Sequence, residues 1–259
     1  MENAMTYTQV MEYVEELKRY GSVPGLTNVE NLCLKLGQPQ RDLSFIHIAG
    51  TNGKGSVLAF ISEILKEAGY RVGRYISPTI FEYREKIQLN GRPITKKDLC
   101  RLMTQMKQIC EELVEEGQPH PTAFEIETAM AFQYFREQNC QLIVLETGLG
   151  GLLDATNIIE NTLVEVFTSI SLDHMGVLGK TLTEIAENKA GIMKRGSVAV
   201  ALKGENEVMK VLEDKALQLS VPLEVVGLEM VQGIKRTIEK QTFSYKNYKN
   251  LEVLNCICI

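Results

Sequence analysis

The sequence contains no tryptophan, only three histidines and seven prolines, and six cysteines among its 259 residues. The cysteines are scattered, and the only close pair is Cys256 and Cys258, spaced as C-x-C. The sequence therefore has neither the disulfide framework of a small secreted domain nor a C-x-x-C zinc motif. Unpaired thiols are typical of a reducing compartment, so we expect a cytoplasmic protein.

Long apolar runs and clustered positive charge are also missing. No stretch approaches 18 apolar residues, which excludes a predicted membrane-spanning helix. Residues 1–20 are acidic and amphipathic, unlike a secretory signal peptide. The net charge is −5, and basic residues come at most in pairs such as Lys96-Lys97. Because nucleic acids and anionic membranes are bound by clustered Lys and Arg, we expect neither as a partner.

The remaining composition is that of one globular domain, with 44% hydrophobic and 24% charged residues. Apolar runs of strand length alternate with segments of helical periodicity, a pattern that predicts an α/β fold whose mostly parallel sheet is covered by helices on both faces. The first helix is indicated by Val10, Val14 and Leu17. A small hairpin is expected at 87–91 and a β-ribbon over 242–248. The strand predictions are 43–48, 72–76, 142–145, 163–169 and 197–202, and the helix predictions are 56–68, 96–116, 122–138, 182–193 and 205–219.

A glycine-rich loop separates the first predicted strand from the helix that follows it. Glycines let successive N–H groups point into one concavity, and the helix N-terminus adds positive potential, so such a loop suits phosphate oxygens. Lys54 can reach the terminal phosphates, and the Ser56 hydroxyl can bind Mg²⁺. The pattern departs from G-x-x-x-x-G-K-[ST], since Ile48 occupies the place of the leading glycine and Gly55 precedes the serine. The predicted nucleotide-binding residues are Gly50, Thr51, Asn52, Gly53, Lys54, Gly55 and Ser56.

A second glycine-rich segment, 146–157, follows the strand predicted at 142–145. Ligands of open α/β sheets bind at the carboxyl ends of the strands, where Glu146 lies. Glu146 is therefore a candidate for holding Mg²⁺ against the phosphates. The alternative is a surface loop in which Asp154 only caps a helix.

A third segment, 169–179, also follows a predicted strand and contains His174, the one histidine placed where a metal or phosphate could bind. His47 lies inside a buried strand and is interpreted as a satisfied core residue, and His120 lies between prolines in a loop and is expected to be solvated. Lys189 lies in a predicted helix with an apolar surround, and its simplest interpretation is a side chain that extends to solvent.

Together these segments resemble the folylpolyglutamate synthase and dihydrofolate synthase family of the Mur ligase group. The resemblance extends from about Thr6 to about Leu254 and depends most on 46–56 and on 145–151 with 154–157. Further matching segments are 77–78 with 84–87, 124–125 with 128, and 173–174 with 189–192.

The resemblance implies a role for each matching residue. The catalytic set would be Lys54, Glu146, His174 and Lys189, with ATP and Mg²⁺ as cofactors. Ser56 and Glu146 would bind one Mg²⁺. Ser77 and His174 would complete a second metal position, together with Lys189 in carbamylated form. Phe124, Asp154 and Ala155 would lie near the pterin. Thr79 replaces the histidine that commonly follows Ser-Pro in relatives, which makes Ser77 the firmer assignment in that loop.

The implied reaction joins L-glutamate to a folate or to dihydropteroate through an acyl phosphate, with release of ADP and phosphate. The partners would be these small molecules alone. Full-length relatives are expected to be monomeric, and the sequence leaves the oligomeric state of this chain open. Two alternatives remain, a non-catalytic nucleotide-binding remnant and a Mur-type ligase for a peptidoglycan precursor. The segment 154–157 and Phe124 count against the second.

The C-terminal end differs from the expected family pattern. We expect residues 1–254 to form the ATP-binding domain and residues 255–259 to be an aberrant tail. The family's second domain is expected to be absent, either through truncation or a frameshift or because the protein is naturally short. Since glutamate is expected to bind between the two domains, such a chain should have little ligase activity alone.

Overall fold

The computed structural model describes residues 4–21, 24–237, 240–246 and 248–254. The predicted tail at 255–259 lies outside these residues. Within the described part, the helices are α1 (Tyr7–Leu17), α2 (Thr27–Lys35), α3 (Lys54–Glu67), α4 (Lys96–Glu115), α5 (Ala123–Glu137), α6 (Met175–Leu178), α7 (Leu182–Ala190) and α8 (Asn206–Leu219). The strands of the main sheet are β1 (Phe45–Ala49), β2 (Val72–Tyr75), β3 (Ile87–Leu89), β4 (Arg92–Pro93), β5 (Leu142–Glu146), β6 (Thr162–Phe167), β7 (Val198–Leu202) and β8 (Leu223–Val226). A second sheet contains β9 (Val231–Arg236), β10 (Lys240–Tyr245) and β11 (Tyr248–Leu254).

The main sheet has the strand order β4-β3-β2-β5-β1-β6-β7-β8. Strands β2, β5, β1, β6, β7 and β8 run parallel, and β3 and β4 add an antiparallel edge. Parallel neighbours require crossover connections, which the helices supply. The predicted fold class is confirmed, and β1 lies in the middle with β5 on one side and β6 on the other.

Strand β1 shows how the layers are arranged, because successive side chains of a strand point to opposite faces. Ile46 and Ile48 pack in an apolar cluster with Leu58 of α3. Phe45 belongs to the large cluster formed with α1, α2, α4 and α5 on the opposite face. Ala49 joins the cluster formed with α7 and α8 on that same face. Helices therefore cover both faces of the sheet. The side chains of β1 that point to one face belong to a different apolar cluster from those that point to the other face.

Helix α5 is the most deeply buried helix of the described residues, and all positions from Glu125 to Phe135 are buried. It begins with a capping box: the Thr122 hydroxyl accepts a hydrogen bond from the Glu125 N–H, and the Glu125 carboxylate accepts from the Thr122 N–H at 2.7 Å. This pairing satisfies two N–H groups that the helix leaves unbonded at its start.

Several elements, including the short helix α6, differ from the sequence predictions. Helix α2 was not predicted: its buried residues Val29, Leu32 and Cys33 have helical spacing, but its N-cap, Leu26, provides no side-chain hydrogen bond. Strand β8 at the sheet edge was also not predicted. The ribbon expected at 242–248 is part of a three-stranded antiparallel sheet, in which β10 pairs with both β9 and β11.

Part of the main sheet is left uncovered beside α3. A groove of about 670 Å³ lies there, with almost entirely apolar walls. Its lining residues include Val57, Ile61, Val164, Val166, Val200 and Leu202. In the described part of the chain, no helix is both long enough and apolar enough to cross a bilayer.

Candidate active site

The first glycine-rich loop connects β1 to α3 at the carboxyl edge of the sheet. Gly53 is the N-cap of α3 and has φ +86°, a left-handed conformation that glycine adopts without a steric cost. Gly50 has φ +154°, and a Cβ added there would lie 1.8 Å from the Thr168 hydroxyl oxygen. The loop therefore requires glycine at position 50 because of both its backbone angle and its close contact with the segment after β6.

Hydrogen bonds fix this loop to the segment 168–171. The Thr51 N–H donates to the Ser169 carbonyl at 2.7 Å, and the Thr51 hydroxyl donates to the Ser171 carbonyl at 3.2 Å. The Ser171 N–H donates back to the Thr51 hydroxyl at 3.1 Å. These hydrogen bonds hold the loop in its curved form, with the N-terminus of α3 placed where it would suit an anion.

Lys54 and Glu146 face each other across the loop. Glu146 ends β5 beside Ile48 in the register of the sheet, and its carboxylate Oε1 lies 3.9 Å from Lys54 Nζ. Burial raises the pKa of Glu146 to about 7, against the lowering effects of Lys54 and of the Ser77 N–H, which donates a hydrogen bond to the carboxylate. A desolvated carboxylate at this position favours a cation beside it.

Lys189 is buried in the same region, with only 3% of its surface exposed. Its Nζ donates a hydrogen bond to the Gly50 carbonyl oxygen at 2.9 Å. Burial, and next the charge of Lys54, lower the pKa of Lys189 to about 8. The interpretation that this side chain extends to solvent is therefore wrong, because its helix carries it under the glycine loop.

A cavity of about 230 Å³ opens beside these charged residues. Its walls include four predicted site residues, which are Ser77, Phe124, Asp154 and Ala155. Phe124 packs on the second glycine-rich segment so closely that a Cβ added at Gly148 would lie 2.5 Å from the ring. The aromatic ring and the peptide backbone at Gly148 are therefore in direct contact, and both line the cavity.

Asp154 organises the second glycine-rich segment. Its Oδ2 accepts a hydrogen bond from the Leu149 N–H at 2.7 Å, and its Oδ1 accepts from the Thr156 N–H at 3.0 Å and hydroxyl at 2.5 Å. Asp154 caps the short 3₁₀ turn Ala155–Ile158, so the helix-capping alternative describes part of what it does. It also contributes to the cavity wall.

The residues proposed for metal binding are only partly brought together. Ser56 is exposed in the first turn of α3, and a Cβ added at its neighbour Gly55 would lie 3.9 Å from Glu146 Oε2. His174 is exposed, and its ring Nε2 lies 3.6 Å from the carboxylate Oδ2 of the adjacent Asp173. Those residues contain no group of three or more His, Cys, Asp and Glu side chains suited to a metal. Ser56 and Glu146 offer the hydroxyl and carboxylate oxygens that suit Mg²⁺ held mainly by phosphates.

The surroundings of His47 and His120 differ in part from those interpreted from the sequence, which were a satisfied core position and a solvated loop. The Nε2 of His47 lies 2.8 Å from the Thr156 hydroxyl, but its buried Nδ1 has no partner among the described residues. His47 is therefore only half satisfied. His120 is partly buried and stacks on Tyr20, with ring centroids 4.0 Å apart, so it is not a freely solvated loop residue.

Several cavity residues were not predicted from the sequence. Pro24 and Gly25 come from the loop before α2, and Val177, Leu178 and Asn188 come from α6 and α7. The Asn188 carbonyl oxygen also accepts a hydrogen bond from the N–H of residue 152 at 2.8 Å, which attaches α7 to the second glycine-rich segment. The positions of these residues depend on tertiary contacts. For Pro24 and Gly25 the sequence signal is the glycine- and proline-rich composition of 21–25, which is typical of a loop.

The sequence profile of the Mur ligase middle domain matches residues 48–253. Among curated proteins, the dihydrofolate synthase/folylpolyglutamate synthase of Bacillus subtilis is 41% identical over 219 residues, which are 84% of this chain and 51% of that protein. The folylpolyglutamate synthase of Lacticaseibacillus casei is 37% identical, over 74% of this chain and 45% of that protein. The chain thus spans about half the length of these relatives.

Solved structures agree with the sequence matches. An FPGS–AMPPCP–folate complex has a TM-score of 0.89 and 32% identity, covering 96% of this chain and 62% of that one. The folylpolyglutamate synthase of Thermotoga maritima has a TM-score of 0.82 and 37% identity, covering 92% of this chain and 54% of that one. The chain therefore belongs to the Mur ligase middle-domain family, in the group that contains the folylpolyglutamate and dihydrofolate synthases.

Proposed function

We propose that this chain is the ATP-binding part of an enzyme that joins L-glutamate to a folate or to dihydropteroate through an acyl phosphate. The observation that carries the proposal is the position of Ser77. Its N–H donates to the Glu146 carboxylate beside Lys54, and the same residue lines the cavity that contains Phe124. A phosphate on the glycine loop and a carboxylate in the cavity would therefore be neighbours.

The reaction follows from this proximity. An oxygen of the substrate carboxylate attacks the γ-phosphorus of ATP, and the bond to the ADP oxygen breaks. The amine of glutamate then attacks the acyl carbon, loses a proton and displaces phosphate. Lys54 and the N–H groups at the start of α3 neutralise the charge that develops on the phosphates.

The residues near the loop also suit Mg²⁺. Ser56 and Glu146 would hold it through oxygen atoms, and Ser77 and His174 are proposed for a second position. The ion would supply positive charge to the transferring phosphate. Glu146 suits the binding of Mg²⁺, because burial disfavours its charged form unless a cation lies beside it.

Lys189 is proposed to carry a carbamate. Its neutral amine would attack CO₂, form an N–C bond and release a proton, which turns a buried cation into a carboxylate-like anion. The lowered pKa of Lys189, about 8, supports this reaction, because only the neutral amine is a nucleophile. The carbamate would then contribute an oxygen to the second metal position.

This chain matches about half of the length of its relatives. We therefore propose that the complete reaction also uses residues of the other half. We assign ATP and the pterin to residues 1–254 and part of the glutamate site to the half of the relatives that this chain does not match. The proposal includes small-molecule partners alone, a monomeric full-length enzyme and a cytoplasmic location. The buried thiols of Cys33, Cys110 and Cys140 are free, which fits a reducing compartment.

The test is mass spectrometry of products after incubation with Mg-ATP, glutamate and either dihydropteroate or tetrahydrofolate. Glutamylated product with the original chain, and none with Lys54→Ala, would support the ligase reaction. Mg-ATP binding without product from either folate would favour the nucleotide-binding remnant. Binding of a UDP-sugar in place of a pterin would favour the peptidoglycan-type ligase.

A further inference from the structure

We infer that His47 is a positioning residue that acts through Thr156 on Asp154 and thereby sets the backbone of residues 148–149 at the cavity wall. His47 lies in the middle of β1 and is fully buried. It touches neither the glycine loop nor the cavity directly. The identity of the ligand in the cavity rests on the proposed function, whereas the hydrogen-bond chain itself does not.

The direction of the hydrogen bonds follows from counting protons. Asp154 receives the Leu149 N–H, the Thr156 N–H and the Thr156 hydroxyl, and an acceptor with this set of donors is a carboxylate. The Thr156 hydroxyl has one proton, which it donates to Asp154 at 2.5 Å. Its oxygen must therefore accept from His47 Nε2–H at 2.8 Å, so His47 is the neutral Nε2–H tautomer.

The surroundings of His47 keep it neutral. Burial lowers its pKa to about 3, and the charge of Lys194 acts in the same direction. Glu165 of β6 is its partner in the register of the sheet, but that carboxylate is taken up by the Lys194 N–H at 3.0 Å and by the Ser197 hydroxyl. Within the described residues, Thr156 is thus the hydrogen-bond partner of the imidazole.

The far end of the chain reaches the cavity wall. The Asp154 carboxylate holds the Leu149 N–H at 2.7 Å, and Leu149 and Asp154 both line the cavity. Gly148, next in the chain, is the residue on which the Phe124 ring packs. A rotation of Asp154 would therefore shift the peptide that faces Phe124, without moving the glycine loop at 50–56.

The test uses Thr156→Val, which keeps the shape of the side chain and removes the hydroxyl, with Thr156→Ser as the matched variant that retains it. The first measurement is ¹⁵N NMR of the histidine rings, which is simple to assign because the chain has three histidines. The original chain and Thr156→Ser should show His47 protonated on Nε2 alone, and Thr156→Val should lose this preference. Exchange of the Leu149 amide proton should accelerate in Thr156→Val only.

The second measurement compares affinities for folate and for the ATP analogue AMPPCP. Thr156→Val and His47→Leu should weaken folate binding about ten-fold, because each leaves a buried polar group without its partner. AMPPCP binding should stay within about two-fold, and Thr156→Ser should restore folate binding. Equal loss for both ligands would indicate a general structural role and overturn the inference.

The two measurements separate the inference from the proposed function. If the original chain binds no folate, the proposed function is contradicted, and the ring tautomer with the Leu149 exchange rate still decides the role of His47. An Nδ1–H tautomer in the original chain, or a Leu149 exchange rate unchanged by Thr156→Val, would overturn the positioning role whatever the ligand is.

Discussion

The Nζ of Lys189 lies 2.9 Å from the carbonyl oxygen of Gly50. Helix α7, which contains Lys189, therefore holds the start of the first glycine-rich loop. The contact joins α7 to the start of the glycine loop, and Lys54, which follows the loop, lies 3.9 Å from Glu146. Two lysines and one buried carboxylate thus surround the position proposed for the phosphates. The two lysines can be tested separately.

Lys54→Met should weaken binding of AMPPCP by roughly ten- to a hundred-fold, since a charge-assisted hydrogen bond contributes about 1.5–3 kcal/mol. The fold should be retained, because apart from its 3.9 Å approach to Glu146 the side chain makes a single long hydrogen bond, to the Thr51 carbonyl at 3.4 Å. Lys66→Met is the matched control, as Lys66 lies in the same helix and pairs with Glu63 at the surface. Calorimetric titration measures both variants, and equal affinities would contradict the role of Lys54.

Lys189 should take up CO₂ increasingly as the pH rises through about 8, the value to which burial lowers its pKa. Below that value the amine is protonated and cannot attack CO₂. The measurement is the carbamate signal in ¹³C NMR with labelled bicarbonate, and it should disappear in Lys189→Gln. A signal that is absent at every pH from about 7 to 9 would contradict the carbamate.

Gly50→Ala should lower the free energy of unfolding by about 3 kcal/mol, the upper end of the cost of overpacking. The added Cβ would meet the Thr168 hydroxyl at 1.8 Å. Gly53→Ala is the control: it also has positive φ but has open space around it, so we expect a loss of about 1 kcal/mol. Urea unfolding measures both.

A double variant separates the two causes at position 50. Thr168→Ala removes the hydroxyl and leaves a contact of 3.0 Å with the Thr168 Cβ. Combining it with Gly50→Ala should recover part of the lost stability, because the two positions share one contact. Strictly additive losses would assign the whole cost to the backbone angle.

Glu165 should make stability fall as the pH rises from 4.5 to about 7. Burial raises its pKa to about 7, so the folded state keeps a proton that the unfolded state has already released. The contribution of Glu165 to the free energy of unfolding is fully present below pH 4.5 and is lost as the pH rises to about 7. The size of the pKa shift corresponds to a loss of roughly 3 kcal/mol. In Glu165→Gln this loss should be missing. Parallel pH profiles of the free energy of unfolding for the two proteins would contradict the assignment.

The main features of the site could be predicted because they follow strands. Glycine-rich loops after predicted strands located Lys54, Glu146 and the cavity residue Asp154 correctly at one edge of the sheet. Most of the strand and helix order, though not α2 or β8, was also predictable from periodicity. These signals are local, so one sequence is sufficient to detect them.

The contacts of Lys189 and His47 could not be predicted. Gly50 is 139 positions from Lys189, and Thr156 is 109 positions from His47. Helical spacing identifies a lysine among apolar neighbours but does not reveal whether its tip meets water or a backbone carbonyl. Helix α2 was missed for a different reason, since it has nine residues and lacks a side-chain N-cap.

The central position of β1 also has a consequence for synthesis on the ribosome. Its neighbours β5 and β6 are made after α5, and Thr51 finds its partner Ser171 only 120 positions later. Contacts this distant in the chain form slowly, and an unpaired apolar strand is prone to aggregation while it waits. A nascent chain that ends before residue 168 therefore carries the whole glycine loop motif without the segment 168–171 that holds it, and we expect such chains to be the ones that aggregate.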